Sequence, residues 1–204
     1  MKQKAISPRK KAVQSRSIQM EKDILESSIR VLKKKGASRF TTIEIASEAG
    51  ISVGSLYQYF PNKESILFRL QRDEWHQTWN HIQTLFDEEI DFWICLEKLI
   101  VRFFESEAEE ADLRLALNQA GVFLREHREY KKLQIDIRDR FYEAMSKALP
   151  YDSDAQLRFK VDFLVTSVGA LAEAVTERKL EGRELTKWSR HIARMLVTTT
   201  RESI

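Results

Sequence analysis

An all-α fold is what this sequence predicts, and three features carry the prediction. Only six glycines and three prolines interrupt 204 residues. Long stretches rich in Leu, Ala, Glu, Lys and Arg repeat their apolar side chains at intervals of three and four. Cap and stop signals cut those stretches into about nine helices. The expected architecture is an N-terminal three-helix module of helix-turn-helix type followed by a larger helical domain. A basic arm is expected over 1-17, the module over 18-66 and the helical domain over 67-204.

The arm, with Lys2, Lys4, Arg9, Lys10, Lys11 and Arg16 and no acid, has almost nothing to bury, so disorder is expected there. From about Ile18, the positions Ile24, Leu25, Ser28, Val31 and Leu32 share one helical face, and Lys33, Lys34, Lys35 and Gly36 form a C-terminal stop. Thr41 and Glu44 have capping-box spacing, with Phe40 and Ile45 placed as the hydrophobic staple, so a short helix begins at Thr42. Gly50 ends it at a tight turn. Ser52 then caps a second short helix, about Val53 to Tyr59, which ends before Pro61. Two short helices joined by such a turn make a helix-turn-helix. Asn62 caps a fourth helix through Leu67, Leu70, Trp75, Trp79, Ile82 and Phe86.

Further amphipathic helices are expected around 91-106, 112-124 and 129-149, after which Pro150 breaks the chain. Ser153 and Gln156 form another capping box ahead of a long helix through Leu157, Val161, Leu164, Val165, Val168, Leu171 and Val175, for which Gly182 is the expected terminator. A last helix, about 187-201, carries Trp188, Ile192, Met195 and Leu196.

Charge divides the chain in the same place. Residues 1-70 hold 14 Lys and Arg against 6 Asp and Glu, a surplus of +8, while the rest holds 20 against 25, a balance of −5. A basic head on a mildly acidic body points the head toward a polyanion. One cysteine, Cys95, excludes an internal disulfide and suits a reducing cytosol, where it serves as buried filler. No apolar run approaches the roughly 18 residues of a membrane span. A soluble, cytoplasmic protein is expected, with no membrane partner.

The residues Ile24-Leu25, Gly36, Thr41 to Ala46, Ala49 to Ser52, Gly54-Ser55-Leu56-Tyr57-Gln58-Tyr59 and Phe60-Pro61-Asn62-Lys63-Glu64, in this order and spacing, closely resemble the DNA-binding domain of the TetR family of transcriptional regulators. Ser27, Ser28 and the Val31-Leu32 pair depart from the usual first-helix pattern. The resemblance covers about the first third of the chain. It implies that the remaining helices form a ligand-binding and dimerisation domain, that the last two helices of each subunit build a four-helix bundle across a two-fold axis, and that the natural effect is repression. Residues 154-203 look like that pair.

A helix fits the major groove, where base edges carry a readable pattern, and the 53-59 helix is the expected reader. Ser52, Val53, Ser55 and Gln58 are small or polar enough for base edges, Gln58 foremost, and Gly54 allows close backbone approach. Tyr57, Tyr59, Lys63, Thr42 and Thr41 are expected at phosphates, with simple capping as the competing role for Thr41. Leu56 and Phe60 point to the core. A homodimer on a palindromic operator in double-stranded DNA would set two readers roughly 34-36 Å apart or somewhat more.

Dimer positions are expected at Val161, Val165, Val168, Ala172, Val175, Trp188, Ile192 and Met195, with Gly169-Ala170 permitting close approach; an internal core is the open alternative. A small-molecule ligand, apolar or aromatic, is expected among Trp79, Phe86, Trp93, Phe103, Phe104, Phe123, Phe141, Tyr142, Phe159 and Phe163, residues whose spacing also suits plain core. Ligand binding would release DNA by shifting the angle of the 63-86 helix. Catalysis is not expected: His76, His81, His127 and His191 are scattered, with no metalloprotease motif, phosphate loop or nucleophile elbow. Nor is a metal or other cofactor, since Glu105, Glu107, Glu109 and Glu110 read as a solvated run. The rival class is an interaction protein that keeps the helix-turn-helix fold and acts through a protein partner.

Overall fold

Thr41, Ser52 and Ser153 each accept a hydrogen bond from the backbone N–H three residues on, and each starts a helix at the place the sequence predicts. The computed structural model describes residues 15–36, 39–88, 91–109 and 111–202, with positions 81–88, 109, 112, 118 and 120 described by backbone alone. These residues are helical with no strand: α1 (Ser15–Lys35), α2 (Thr42–Glu48), α3 (Val53–Tyr59), α4 (Lys63–Glu88), α5 (Phe92–Glu109), α6 (Ala111–Leu124), α7 (Arg128–Ala148), α8 (Asp154–Glu177) and α9 (Gly182–Arg201). The expected basic arm falls mostly outside the described residues; of its last positions, Ser15 to Ser17 are already the first turn of α1.

Two compact units emerge. One holds the described residues up to Trp75 together with 112–132; the other holds 76–111 with 133–202. The first unit thus extends past residue 66 and recruits α6, and an ion pair shows how. Arg114 Nη2 of α6 lies 2.6 Å from Glu74 Oε2 of α4, with both side chains largely withdrawn from water.

In the first unit α1 packs on α2 and α2 on α3. Ile24, Leu32, Phe40, Ile45, Leu56 and Phe60 are completely buried, so the predicted inward positions of these elements hold. Ser27 and Ser28 are buried as well. Their hydroxyls are satisfied: Ser28 donates to the Ile24 carbonyl at 2.7 Å, and Arg30 donates to Ser27 at 2.7 Å. Small polar side chains that return their hydrogen bonds locally can therefore occupy positions where apolar ones were expected. Gly36 and Gly50 take φ of +70° and +66°, the left-handed geometry that ends α1 and turns the chain after α2.

The expected box at Thr41 is only half made. Glu44 N–H donates to Thr41 Oγ1 at 3.3 Å, but the Glu44 carboxylate accepts from Lys35 Nζ at 2.6 Å instead of returning to the cap. A cation at the end of α1 outcompetes a neutral backbone N–H for the charged oxygen. Arg69 on α4 binds both Glu21 of α1 and, at 2.6 Å, Asp73. Burial disfavours its charge, yet the two carboxylates raise its pKa above the ordinary arginine value.

In the second unit α5 packs on α9 and on α8, and α8 on α9. Cys95, Leu96, Ile100, Phe104, Met145, Leu157 and Leu164 are among its buried apolar residues. So are Val161, Ala172, Val175 and Ile192, four of the positions assigned to the dimer surface, which the chain's own core consumes. Val165 and Val168 pack against that core half-buried. Trp188 and Met195 stay open, 37% and 51% exposed. A Cβ at Gly169 would meet nothing within 4 Å, so this glycine serves no close approach inside the chain. The terminator of α8 also differs from expectation. Lys179, at φ +50°, takes the left-handed position, and Gly182 opens α9, which starts earlier than predicted. Glu107 departs from the solvated-run reading: α5 continues to Glu109, and its register with Ile100 and Phe104 carries Glu107 inward, where it is buried. A second buried charge, Lys160, is held by Asp152 at 2.7 Å.

Candidate nucleic-acid interface

The helix-turn-helix presents a sharply two-sided α3. Leu56 and Phe60 are fully buried, while Ser52, Gly54, Tyr57 and Gln58 are exposed and Val53, Ser55 and Tyr59 half-buried. The cause is length: a seven-residue helix has one apolar face to spend, and Leu56 spends it together with Phe60 at the C-cap.

Each predicted contact residue has a definite local state. Ser52 Oγ accepts from Ser55 N–H at 3.0 Å and lies 2.9 Å from Ser55 Oγ, so this oxygen starts the helix before it can read a base. Thr41 is likewise the cap of α2, the competing role weighed for it. Thr42 Oγ1 and Tyr57 Oη are 3.2 Å apart, joining the start of α2 to the outer face of α3. Two hydroxyls in one hydrogen bond use one proton, and the other remains to donate outward. The Gln58 amide has no hydrogen bond among the described residues. A Cβ on Gly54 would meet only Ser52 Oγ at 3.7 Å, an ordinary contact, so nothing inside the fold requires glycine there.

Lys63, at the first position of α4, holds its ammonium 5.5 Å from the centroid of the Phe123 ring on α6. It has no ion pair among the described residues. The basic end of α1 behaves differently. Glu48 accepts from Arg30 Nε at 2.8 Å and faces Lys34 Nζ at 3.5 Å, while Lys35 is taken by Glu44. The Arg30 hydrogen bond holds the Glu48 carboxyl below its ordinary value, and Lys34 adds to the effect. Beyond ending α1, two of the three lysines latch it to α2. Spacing within α2 was the available signal, since Glu44 and Glu48 are four apart on one face. Ile43 was missed: it stands beside Thr42 and is 68% exposed, because the register that buries Ile45 turns residue 43 outward.

The aromatic set assigned to a ligand splits. Phe104 is completely buried core, and Phe86 lies where only backbone is described. Phe123 belongs to the first unit, at 48% exposure, apart from the others. In the second unit Trp79, Trp93, Phe103, Phe141, Tyr142 and Phe163 are partly buried against the core. Trp79 meets Phe141 edge-on at 5.7 Å, lies 5.2 Å beneath the Arg140 guanidinium, and its buried indole N–H has no hydrogen bond among the described residues. Phe163 stacks with Phe159 at 6.3 Å, and Phe159 stands exposed. Tyr142 Oη donates to Asp154 at 2.6 Å, which raises the phenol pKa and lowers that of the carboxyl.

Among the described residues, no group of three or more His, Cys, Asp or Glu could hold a metal ion, and no helix is long and apolar enough to cross a membrane.

Residues 24–70 match the family described as bacterial regulatory proteins, tetR family. The HTH-type transcriptional regulator TtgR of Pseudomonas putida is 31% identical over 93 residues, which are 45% of this chain and 44% of that protein. The chain thus matches less than half the length of this curated relative. In fold it is similar to the fatty acid degradation regulator FadR of Bacillus halodurans, with a TM-score of 0.72 and 18% identity over 90% of this chain and 97% of that one. It is also similar to FadR of Bacillus subtilis in complex with stearoyl-CoA, with a TM-score of 0.69 and 17% identity over 87% and 97%.

Proposed function

We propose that this chain, whose residues 24–70 are a tetR-family regulatory domain, represses transcription as a homodimer that occupies a palindromic operator and leaves it when a small apolar molecule binds the helical body. The carrying observation is the two-sided α3. Leu56, with Phe60 at the C-cap, is sealed inside, and the outer face offers the unbonded Gln58 amide, an exposed glycine that the fold does not require, and the Thr42–Tyr57 hydroxyl pair. Gln58 reads a purine edge, Gly54 admits the backbone to the groove, and Tyr57, Tyr59, Thr42 and Lys63 take phosphates. Ser52 and Thr41 contribute mainly by capping. Ile43 joins the interface as an apolar contact to a sugar or thymine methyl.

Dimerisation uses what the core leaves over. Phe159, Trp188 and Met195 are exposed apolar side chains on α8 and α9, and the open space at Gly169 allows a second copy to come close. For the ligand, the aromatic group around Trp79 supplies apolar surface and an unused indole donor. That a protein of this fold holds stearoyl-CoA makes an acyl chain the first candidate to screen.

A gel shift with the DNA upstream of the chain's own gene tests the reading. Binding that falls steeply with salt and is lost in Tyr57→Ala and Lys63→Ala is the expected result. A protein that ignores every duplex and captures a protein partner would replace it. Sedimentation of Met195→Glu checks the dimer, and thermal shift with acyl-CoA and free fatty acid checks the ligand.

A further inference from the structure

Among the described residues near the helix-turn-helix, Lys63 alone has its charge over an aromatic ring. Arg30 and Lys34 share the Glu48 carboxylate and Lys35 takes that of Glu44, so carboxylates orient these three cations and offset most of their charge. Lys63 is fixed by an aromatic face, 5.5 Å from the Phe123 centroid. A ring attracts a cation through its quadrupole and carries no net charge, so it restrains the side chain while leaving the full positive charge for an anion outside. An ammonium on one ring face also keeps N–H groups pointing away from the ring, free to donate. Phe123 is not among the buried core residues: it is 48% exposed, near the end of α6, with the still more exposed Val122 beside it. A large apolar ring left in water at that spot is accounted for by the cation it carries.

We propose that Phe123 is a positioning residue for DNA binding, holding the Lys63 ammonium where a backbone phosphate meets it. The inference rests on the DNA-binding reading above and deepens it. It gives α6, which no sequence signal connects to DNA, a share in the contact, and it moves Phe123 from the ligand set to the nucleic-acid face. The gain is one of preorganisation: a four-carbon lysine side chain already confined loses less freedom when the phosphate arrives.

Phosphate contacts are blind to sequence, so a mixed-sequence duplex at low salt is a sufficient probe. Dissociation constants are measured for the wild type, Phe123→Leu, Phe123→Tyr, Lys63→Ala and the Phe123→Leu/Lys63→Ala double variant. Phe123→Leu, which keeps apolar bulk and removes the ring, is expected to weaken binding about two- to fivefold, and Phe123→Tyr to retain it. In the Lys63→Ala background Phe123→Leu is expected to change nothing, the coupling that defines a pair acting together. Equal weakening in both backgrounds would make the ring merely structural and overturn the proposal. So would an unchanged Phe123→Leu. The geometry has its own readout in the free protein: the Lys63 ε-methylene protons should be shifted upfield by the ring current and return to ordinary values in Phe123→Leu. An upfield shift combined with no binding of any duplex would leave the ring contact standing and sink the DNA reading, and with it the positioning role. Ordinary shifts in the wild type would sink the contact itself, whatever DNA does.

Discussion

The short reader α3 and the long pair α8 and α9 answer the same question in opposite ways. In each, an apolar stripe faces one way and another face is left over. In α3 the buried side is Leu56, continued by Phe60 at the C-cap, and the leftover face is the candidate site. In α8 and α9 the stripe that looked like a surface for a second copy, Val161, Ala172, Val175 and Ile192, is the chain's own core. The large apolar side chains that these two helices leave exposed are Phe159, Trp188 and Met195. A helix of seven residues cannot serve two partners, so its buried side declares its free side. A helix of twenty or more has apolar residues to spare, and periodicity does not say which neighbour receives them.

The sharpest test of this contrast concerns the charges hidden among apolar stripes. Asp152→Ala should destabilise the fold by about 3-5 kcal/mol, because it strands Lys160 in the interior; urea denaturation measures it. Leu56→Ala should cost about 2-5 kcal/mol and abolish duplex binding with it, whereas Gln58→Ala should cost binding and leave the denaturation midpoint unchanged. A stability loss in Gln58→Ala would erase the two-sidedness of α3. The long helices give the matching pair. Ile192→Ala is expected to lose a comparable 2-5 kcal/mol, roughly, with the oligomeric state retained, while Met195→Ala should shift the monomer–dimer balance with little effect on the fold. Sedimentation and thermal melting separate the two.

Smaller effects probe the local signals. Ser52→Ala removes the oxygen that accepts from Ser55 N–H and should cost about 1 kcal/mol; Thr41→Ala should match it at the start of α2. The smallest is the latch between α1 and α2. Because the Glu48 carboxyl is lowered from 4.5, its contribution is complete above that value and disappears as pH falls through the depressed one. A carboxyl titration followed by NMR should place Glu48 below 4.5, and Arg30→Ala should bring it back toward the ordinary value.

Where the reading of residues and the structure part, the cause is specific. Gly36, Gly50, Ser52, Asn62 and the Ser153–Gln156 box act within a few residues of themselves, and all five do in the fold what their positions in the chain predict. Glu44 does not, because its preferred partner, Lys35, is nine residues away across a turn. Phe123 reads as one more aromatic in a helical stripe; only folding brings Lys63 beside it from sixty positions earlier. Glu107, part of a run that reads as solvated, is buried, and so is Lys160 on another long helix. The expected basic arm falls mostly outside the described residues.

Taken alone, the sequence determined the all-α class, most of the helix starts and stops, and the residues that face outward on α3, since caps, turns and a seven-residue helix are local events decided by hydrogen bonds a few residues long. Tertiary structure decided which stripe becomes core, which acid claims which base and which ring carries Lys63. Those outcomes depend on competition among partners distant in the chain, and an apolar or charged side chain carries no mark of the partner it will meet.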